Sequence, residues 1–449
     1  MRNLTRHFIT QARAWRRAMP ASLALLLLPS LAQAEVIEDA GQAEPAQLEC
    51  PVVPAPIKKP GLRKPRPAPK RPSEAPDVFG SNAPDLSSLQ PLPGLQQGNF
   101  LRIALWGDSH SAAGFVSEGL IQGLGLSGSD VQPSFMPATF AVPGVRVGIK
   151  KSCVGPDWSL SHAYRAKVRN AVFPRSLTRA SAGESGSYVW LDFRTASRAQ
   201  GLRALDVKLS PPESPERFTS VLAVSVNDAP EKIVSLDRTK DRLLQLRPGR
   251  GVKTLKLRLI SGELALDGLV PHYSDKPRLV LDTFGIPGAT ARGWEMINPA
   301  ALRESDAHDS YDAVLLAYGT NEGNDADYDV NNYAASLRSV LKNLRSAYPS
   351  SMCILMGPTD RGVPRQGGAQ PVQPDHYSRI HRSITQTQRR VGEEFRCQFW
   401  DWQSFMGGAG GAYHWLAQNP PLMAGDLIHL TAQGYRLSGQ RLGERLRGN

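Results

Sequence analysis

Leu101-Arg102-Ile103-Ala104-Leu105-Trp106-Gly107-Asp108-Ser109-His110 is the stretch whose reading decides the fold. Six mostly apolar residues run into a glycine and a polar turn. A continuous apolar run of strand length suits a strand covered on both faces, as in a parallel sheet between helices. Comparable runs recur at Leu279-Val280-Leu281-Asp282-Thr283-Phe284, Ala313-Val314-Leu315-Leu316-Ala317-Tyr318, Met352-Cys353-Ile354-Leu355-Met356 and Cys397-Gln398-Phe399-Trp400. Helical stretches lie between and after them: about 113–126, 333–348, 374–395 and 431–446. In the second of these, Leu337, Leu341 and Leu344 recur at helical spacing. Strand and helix alternating in this way predict an α/β architecture with a parallel sheet covered on both faces.

One interval breaks that rhythm. Between Ser127 and Pro277 no helix is convincing, and period-two alternation takes over. Leu255, Leu257 and Leu259 alternate with Thr254, Lys256 and Arg258; Leu222, Val224 and Val226 alternate likewise, as do Val189, Leu191 and Phe193. Half-buried antiparallel strands have this pattern. The expectation is a β-sandwich inserted over residues 131–275, with the α/β domain formed by 97–130 and 276–449. Lone tryptophans in such modules, here Trp158 and Trp190, are expected in the core, as is Trp294.

The N-terminus is of a different kind. Arg6, Arg13, Arg16 and Arg17 precede Ala21-Ser22-Leu23-Ala24-Leu25-Leu26-Leu27-Leu28, and Ala32-Gln33-Ala34 has the small-x-small form of a cleavage site. Residues 1–34 therefore read as a secretory signal peptide cut after Ala34. No later segment looks transmembrane. Residues 35–96 are rich in Pro, Lys and Arg, with Pro51, Pro54, Pro56, Pro60, Pro65, Pro67 and Pro69 excluding helix, and read as a disordered tether. The net charge of +12 is in part local to Lys58, Lys59, Arg63, Lys64, Arg66, Lys70 and Arg71. An exported chain of this kind is not expected to bind nucleic acid. Four cysteines suit an oxidising compartment. Neighbouring strands could pair Cys353 with Cys397, which leaves Cys50 with Cys153; other connectivities stay open. None has metal-site spacing, and no metal or cofactor is expected.

Four short motifs carry the chemistry: Gly107-Asp108-Ser109-His110, Gly285-Ile286-Pro287-Gly288-Ala289, Gly319-Thr320-Asn321-Glu322 and Asp426-Leu427-Ile428-His429. A serine hydroxyl becomes a nucleophile once a base takes its proton. Ser109 follows directly on a buried strand, where reactive groups of parallel sheets gather. Asp426 and His429, three residues apart before the last helix, can act as an orienting carboxylate and a general base. Asn321 could donate its side-chain amide to an oxyanion, and Gly288 a backbone N–H. Taken singly, each motif also reads as an ordinary turn or helix cap; the ordered set is what points to acyl transfer.

In this order the four blocks resemble the SGNH (GDSL-type) hydrolase superfamily, whose Ser, Gly, Asn and His would be Ser109, Gly288, Asn321 and His429, with Asp426 as the acidic triad member. Members have a flavodoxin-like three-layer α/β/α fold, so the resemblance implies that fold carrying the inserted β-sandwich. It also implies catalysis by Ser109, Asp426 and His429, with Ser109, Gly288 and Asn321 forming the oxyanion hole. Within the superfamily the chain looks most like bacterial peptidoglycan O-acetylesterases. The features that carry this are His110 after the serine, a β-rich insert like a carbohydrate-binding module, and Phe399-Trp400-Asp401-Trp402-Gln403 with Met406-Gly407-Gly408. Glu322 departs from the Asp of many relatives and is expected to hold its loop.

The resemblance implies a periplasmic enzyme that removes acetyl from the muramoyl C6 hydroxyl, with peptidoglycan or another acetylated envelope polysaccharide as its partner. An O-acetyltransferase using the same serine, and a non-catalytic wall-binding protein, are the alternatives.

Overall fold

The structure, a computed structural model, describes residues 49–51, 87–95, 98–194, 201–210, 219–237, 240, 242–305, 310–324, 327–363 and 373–448. The expected signal peptide and most of the expected tether lie outside them. No helix among the described residues is long and apolar enough to cross a membrane.

Six parallel strands form the central sheet: β1 (Leu101–Gly107), β2 (Val131–Gln132), β3 (Leu279–Gly285), β4 (Ala313–Ala317), β5 (Met352–Met356) and β6 (Gln398–Trp400). Their spatial order is β6-β5-β4-β1-β3-β2. β1 shows why the sequence chooses this arrangement. Ile103 and Leu105 enter the apolar layer on one face, and Ala104 and Trp106 enter the layer on the other. Both sets are fully buried, so a strand without polar alternation is satisfied only by helices on both sides. Helices α1 (Ser109–Ala112) and α2 (Phe115–Gly123) follow β1; α3 (Val330–Ala347), α4 (His376–Glu394) and α5 (Ala432–Arg447) come later. Residues of α3 and α4 fill the layer around Trp106, and those of α2 and α5 the opposite layer. The fold is a three-layer α/β/α domain with an added β-sandwich.

α2 and α5 touch backbone to backbone. A methyl group at Gly119 would lie 2.1 Å from the Arg436 carbonyl oxygen, at Gly123 2.1 Å from that of Gln440, and at Gly439 2.1 Å from that of Val116. Glycines four residues apart on each helix permit this approach. It sets the start of α5, and the loop before it, beside the start of α1.

The insert is two antiparallel sheets. One orders Lys232–Asp237, Thr219–Val226, Thr254–Ser261, Tyr188–Asp192 and Lys151–Val154; the other orders Leu243–Leu246, Leu202–Leu209, Leu264–Tyr273, Thr178–Ala182 and Ser159–His162. Leu222, Val224, Leu255, Leu257, Val189 and Leu191 all point into the layer between them, as alternation requires.

Three expectations need correction. The insert does not begin at residue 131, because Val131 and Gln132 pair in parallel with Leu279 and Val280 of β3. Nor is 131–275 a self-contained module: Phe135, Ala163 and Leu177 lie in the α/β core, and the Arg175 carbonyl accepts the Trp106 indole N–H at 2.7 Å. Lastly, the tether does not extend to residue 96. Ser88 N–H donates to the Phe399 carbonyl (2.8 Å), Phe399 N–H to Ser88 Oγ (3.1 Å) and Leu92 N–H to the Leu446 carbonyl (2.7 Å). The physical reason is that β6 is an edge strand whose unpaired backbone groups need partners. Of the tryptophans, Trp294 is fully buried and Trp158 packs against the sandwich core. Trp190 instead faces outward, beneath the Lys256 ammonium at 5.2 Å from the ring centre.

Two disulfides close the chain, Cys353–Cys397 and Cys50–Cys153. The first links neighbouring strands β5 and β6; the second ties the segment before the proline-rich stretch to the sandwich.

Candidate active site

Ser109 is the first residue of α1, directly after β1. Asp108 caps that turn: its Oδ1 accepts the His110 N–H at 2.9 Å, as an N-cap carboxylate does. Ser109 is thereby held half-exposed at the C-terminal edge of the sheet.

The loop before α5 brings Asp426 and His429 to the same spot. Leu427 takes a left-handed backbone (φ 57°) with its side chain buried. The turn lets Asp426 Oδ1 accept the N–H groups of Ile428 and His429, both at 2.9 Å. Its other oxygen lies 2.7 Å from His429 Nδ1, and His429 Nε2 lies 3.0 Å from Ser109 Oγ. A carboxylate only accepts, so Nδ1 carries the hydrogen and Nε2 presents its lone pair to the serine hydroxyl. The hydrogen bond to Asp426 raises the His429 pKa. Burial alone would raise that of Asp426, but the bonds from the His429 ring and from two backbone N–H groups outweigh it and hold the carboxyl at about 2.

The second and third motifs are joined to each other. Asn321 Nδ2 donates to the Ala289 carbonyl at 2.8 Å, and Glu322 Oε1 accepts the Ala291 N–H at 2.8 Å. Asn321 retains its second amide hydrogen. Gly288 has φ 78°, a conformation that favours glycine. A side chain there would also approach the Tyr164 hydroxyl, at 3.9 Å, so the insert reaches the rim of the site. Glu322 holds the Gly288 loop as expected of it, and burial raises its pKa.

Behind the serine lies a layer that the motif reading did not assign. His110 is buried, with Nδ1 3.1 Å from the Tyr435 hydroxyl and its ring 5.5 Å from that of His429. Burial lowers its pKa to about 3, so the ring is neutral. Asp108 is buried too, and desolvation lifts its carboxyl to about 7. Asp360, after β5, is fully buried and accepts from Ser378 Oγ, Gln403 Nε2 and the N–H groups of Gly410 and Ala412. Arg361 follows it. Its neighbour Gly362 donates its N–H to the Leu427 carbonyl at 3.0 Å, fastening this loop to that of His429. The signal that could have found Asp360 and Arg361 is their position just past a buried strand, where parallel sheets collect ligand-facing groups.

The arrangement is able to take a proton from a hydroxyl and return it to a leaving group, beside backbone and amide donors on two joined loops. Residues 262–437 match the model of the GDSL-like Lipase/Acylhydrolase family, a stretch that holds the second, third and fourth motifs. Over that stretch the chain is similar to GDSL-like lipases and acylhydrolases, which supports a hydrolase. Among solved structures it is similar to a peptidoglycan O-acetylesterase, with 21% identity and a TM-score of 0.56 over 79% of this chain and 93% of that one. A family two carbohydrate esterase from Cellvibrio japonicus (11% identity, TM-score 0.27, 66% of this chain and 97% of that one) also aligns. So does the psychrotrophic esterase EstA from Pseudoalteromonas sp. (18% identity, TM-score 0.27, 37% and 76%). No curated protein matches the sequence.

Proposed function

We propose that this chain is an exported serine esterase that removes O-acetyl groups from cell-wall glycan through an acetyl-enzyme on Ser109. The observation that carries the reading is the His429 ring, which spans Ser109 Oγ at 3.0 Å and Asp426 Oδ2 at 2.7 Å. His429 Nε2 takes the hydroxyl proton while Ser109 Oγ bonds to the acetyl carbonyl carbon. Asp426 stabilises the imidazolium that forms. The oxyanion accepts from the backbone N–H groups of Ser109 and Gly288 and from the Asn321 amide. The imidazolium then protonates the departing sugar oxygen, the ester C–O bond breaks, and acetyl remains on Ser109. Water, deprotonated by the same imidazole, attacks next; acetate leaves and Ser109 regains its hydrogen.

Release to water rather than transfer to a second sugar is favoured by exposure: the His429 side chain is 41% exposed, so water reaches the base directly. Acetylated peptidoglycan is the favoured substrate because the similar structure that aligns over 79% of this chain, with a TM-score of 0.56, is a peptidoglycan O-acetylesterase. Export and a periplasmic location are supported by two disulfides, which an oxidising compartment maintains. The test is acetate release from O-acetylated peptidoglycan, with Ser109→Ala as control. The reading expects release by wild type and none above background by the variant. Equal release by both excludes Ser109 as nucleophile, and acetyl appearing on an added glycan in place of free acetate would make the chain a transferase.

A further inference from the structure

The contact of His429 Nε2 with Ser109 Oγ joins two segments 320 residues apart, and the His429 and Asp426 side chains that depend on it are partly exposed. Water competes for hydrogen bonds in such a setting, so the triad does little to hold itself together. Directly behind it lies a second contact between the same two segments. His110, next to Ser109 on α1, brings Nδ1 to 3.1 Å from the Tyr435 hydroxyl on α5. Both of these residues are buried. A hydrogen bond shielded from water is electrostatically stronger than an exposed one, and removing one partner leaves the other unmet in apolar surroundings.

Each partner is fixed in turn. Tyr435 N–H donates to the Thr431 carbonyl at 3.0 Å, Thr431 N–H donates to that of Leu422 at 2.9 Å, and the His429 carbonyl accepts the Ala424 N–H at 2.8 Å. The short run from His429 to Tyr435 is therefore braced, and where the Tyr435 hydroxyl is held, His429 is held too. The His110 ring lies beside that of His429, with 5.5 Å between centres and 33° between planes, and edge-on to that of Trp402 at 5.8 Å. Trp402 Nε1 donates to the hydroxyl of Ser438, one turn beyond Tyr435 on α5, at 2.9 Å. Burial keeps the His110 ring neutral, so it adds no positive charge beside the imidazolium that His429 becomes.

We infer that His110 and Tyr435 are a positioning pair: the bond between imidazole and phenol ties the turn of the nucleophile to the helix that follows the base, and keeps the His429 ring aimed at Ser109 Oγ. The inference rests on the esterase reading above and deepens it. Neither side chain takes a chemical step. What the pair sets is the geometry of proton transfer, where a misplacement of about 1 Å costs about a hundredfold in rate.

The test is a double-mutant cycle on a small acetyl ester, with kcat and KM separated and circular dichroism to verify the fold. Tyr435→Phe removes only the hydroxyl, and His110→Leu removes the ring nitrogens while keeping an apolar side chain in place. Tyr435→Phe is expected to lower kcat about ten- to a hundredfold with KM unchanged, and to slow organophosphonate labelling of Ser109 in parallel. Once His110→Leu is present, the same change is expected to alter kcat by less than about twofold. His110→Asn, which keeps a hydrogen-bonding atom on the Tyr435 side, is expected to recover part of what His110→Leu loses. Wild-type kcat in a folded Tyr435→Phe, a loss confined to Tm, or equal factors in both backgrounds would overturn the inference. Should His110→Leu not fold, Tyr435→Phe alone decides through kcat and the labelling rate. Activity surviving in Ser109→Ala would instead overturn the esterase reading, so the two failures are told apart.

Discussion

Replacing Asp426 by Asn probes the relay at its most informative atom. The asparagine oxygen can still accept the N–H groups of Ile428 and His429, which Oδ1 now accepts at 2.9 Å, so the turn survives. What changes is the contact at 2.7 Å to His429 Nδ1. An amide N–H there donates, and the imidazole hydrogen is driven to Nε2, facing Ser109 Oγ. In that tautomer the ring cannot take the hydroxyl proton. A buried relay loses about 10⁴-fold in kcat from such a change. Here the two side chains are 41% and 46% exposed, water competes for the ring, and a loss of about 10²- to 10⁴-fold is expected. The assay is kcat on a small acetyl ester from acid to alkaline pH, with circular dichroism to verify the fold. Wild-type activity needs neutral His429 and is lost as pH falls through its raised pKa. In Asp426→Ala the support from the carboxylate is gone, so the remaining activity has its acid limb displaced toward the ordinary histidine value of about 6.5. A plateau kcat for Asp426→Asn close to that of wild type would refute the reasoning.

Other consequences can be measured in parallel. Asn321→Ala is expected to lower kcat about a hundred- to a thousandfold by removing an oxyanion donor; unchanged turnover in a folded variant would dismiss that role. Burial raises the Asp108 carboxyl to about 7 in the folded state, against an ordinary value of 3.8. The folded state therefore binds more protons than the unfolded chain between these values, and stability falls as pH rises through the window. Asp108→Asn keeps a cap oxygen without the charge, so its Tm relative to wild type should climb from pH 4 to 7; a flat difference contradicts this. The double variant Cys353→Ala/Cys397→Ala opens a link between residues 44 apart, and chain entropy puts the loss at about 4 kcal/mol. A urea midpoint equal to that of wild type would show the link contributes nothing.

Much of this molecule is written in periodicity. The switch from continuous apolar runs to alternation at Leu222–Val226 and Leu255–Leu259 separates the sandwich from the parallel sheet, because each pattern can be buried in one way only. Strand adjacency suggested Cys353 with Cys397, and that pair and Cys50–Cys153 are the two bonds formed. The limits have equally physical causes. Ser87–Leu92 look like the end of a proline-rich linker, and their partners, the open edge of β6 for Ser88 and the end of α5 for Leu92, come from elsewhere in the chain. Residues 163–177 read as part of the insert, since local sequence does not reveal that the Arg175 carbonyl meets Trp106 across the chain. The glycines at 119, 123, 439 and 443 resemble weak helix positions until two helices are seen in backbone contact.

At the site, the four motifs named side chains that the fold brings within hydrogen-bonding distance or onto joined loops. They did not name Asp360, whose significance comes from burial and from the four donors that converge on it. Glu322 was expected to hold its loop, but the particular partner, Ala291 N–H, depends on two loops meeting in space.

Labelling of the hydroxyl tests the central claim most directly. Wild-type protein treated with an organophosphonate ester, digested and analysed by mass spectrometry, is expected to carry one adduct, on the peptide at Ser109, with activity lost in step with labelling. Complete inactivation with the adduct on any other residue, or none, would contradict the account.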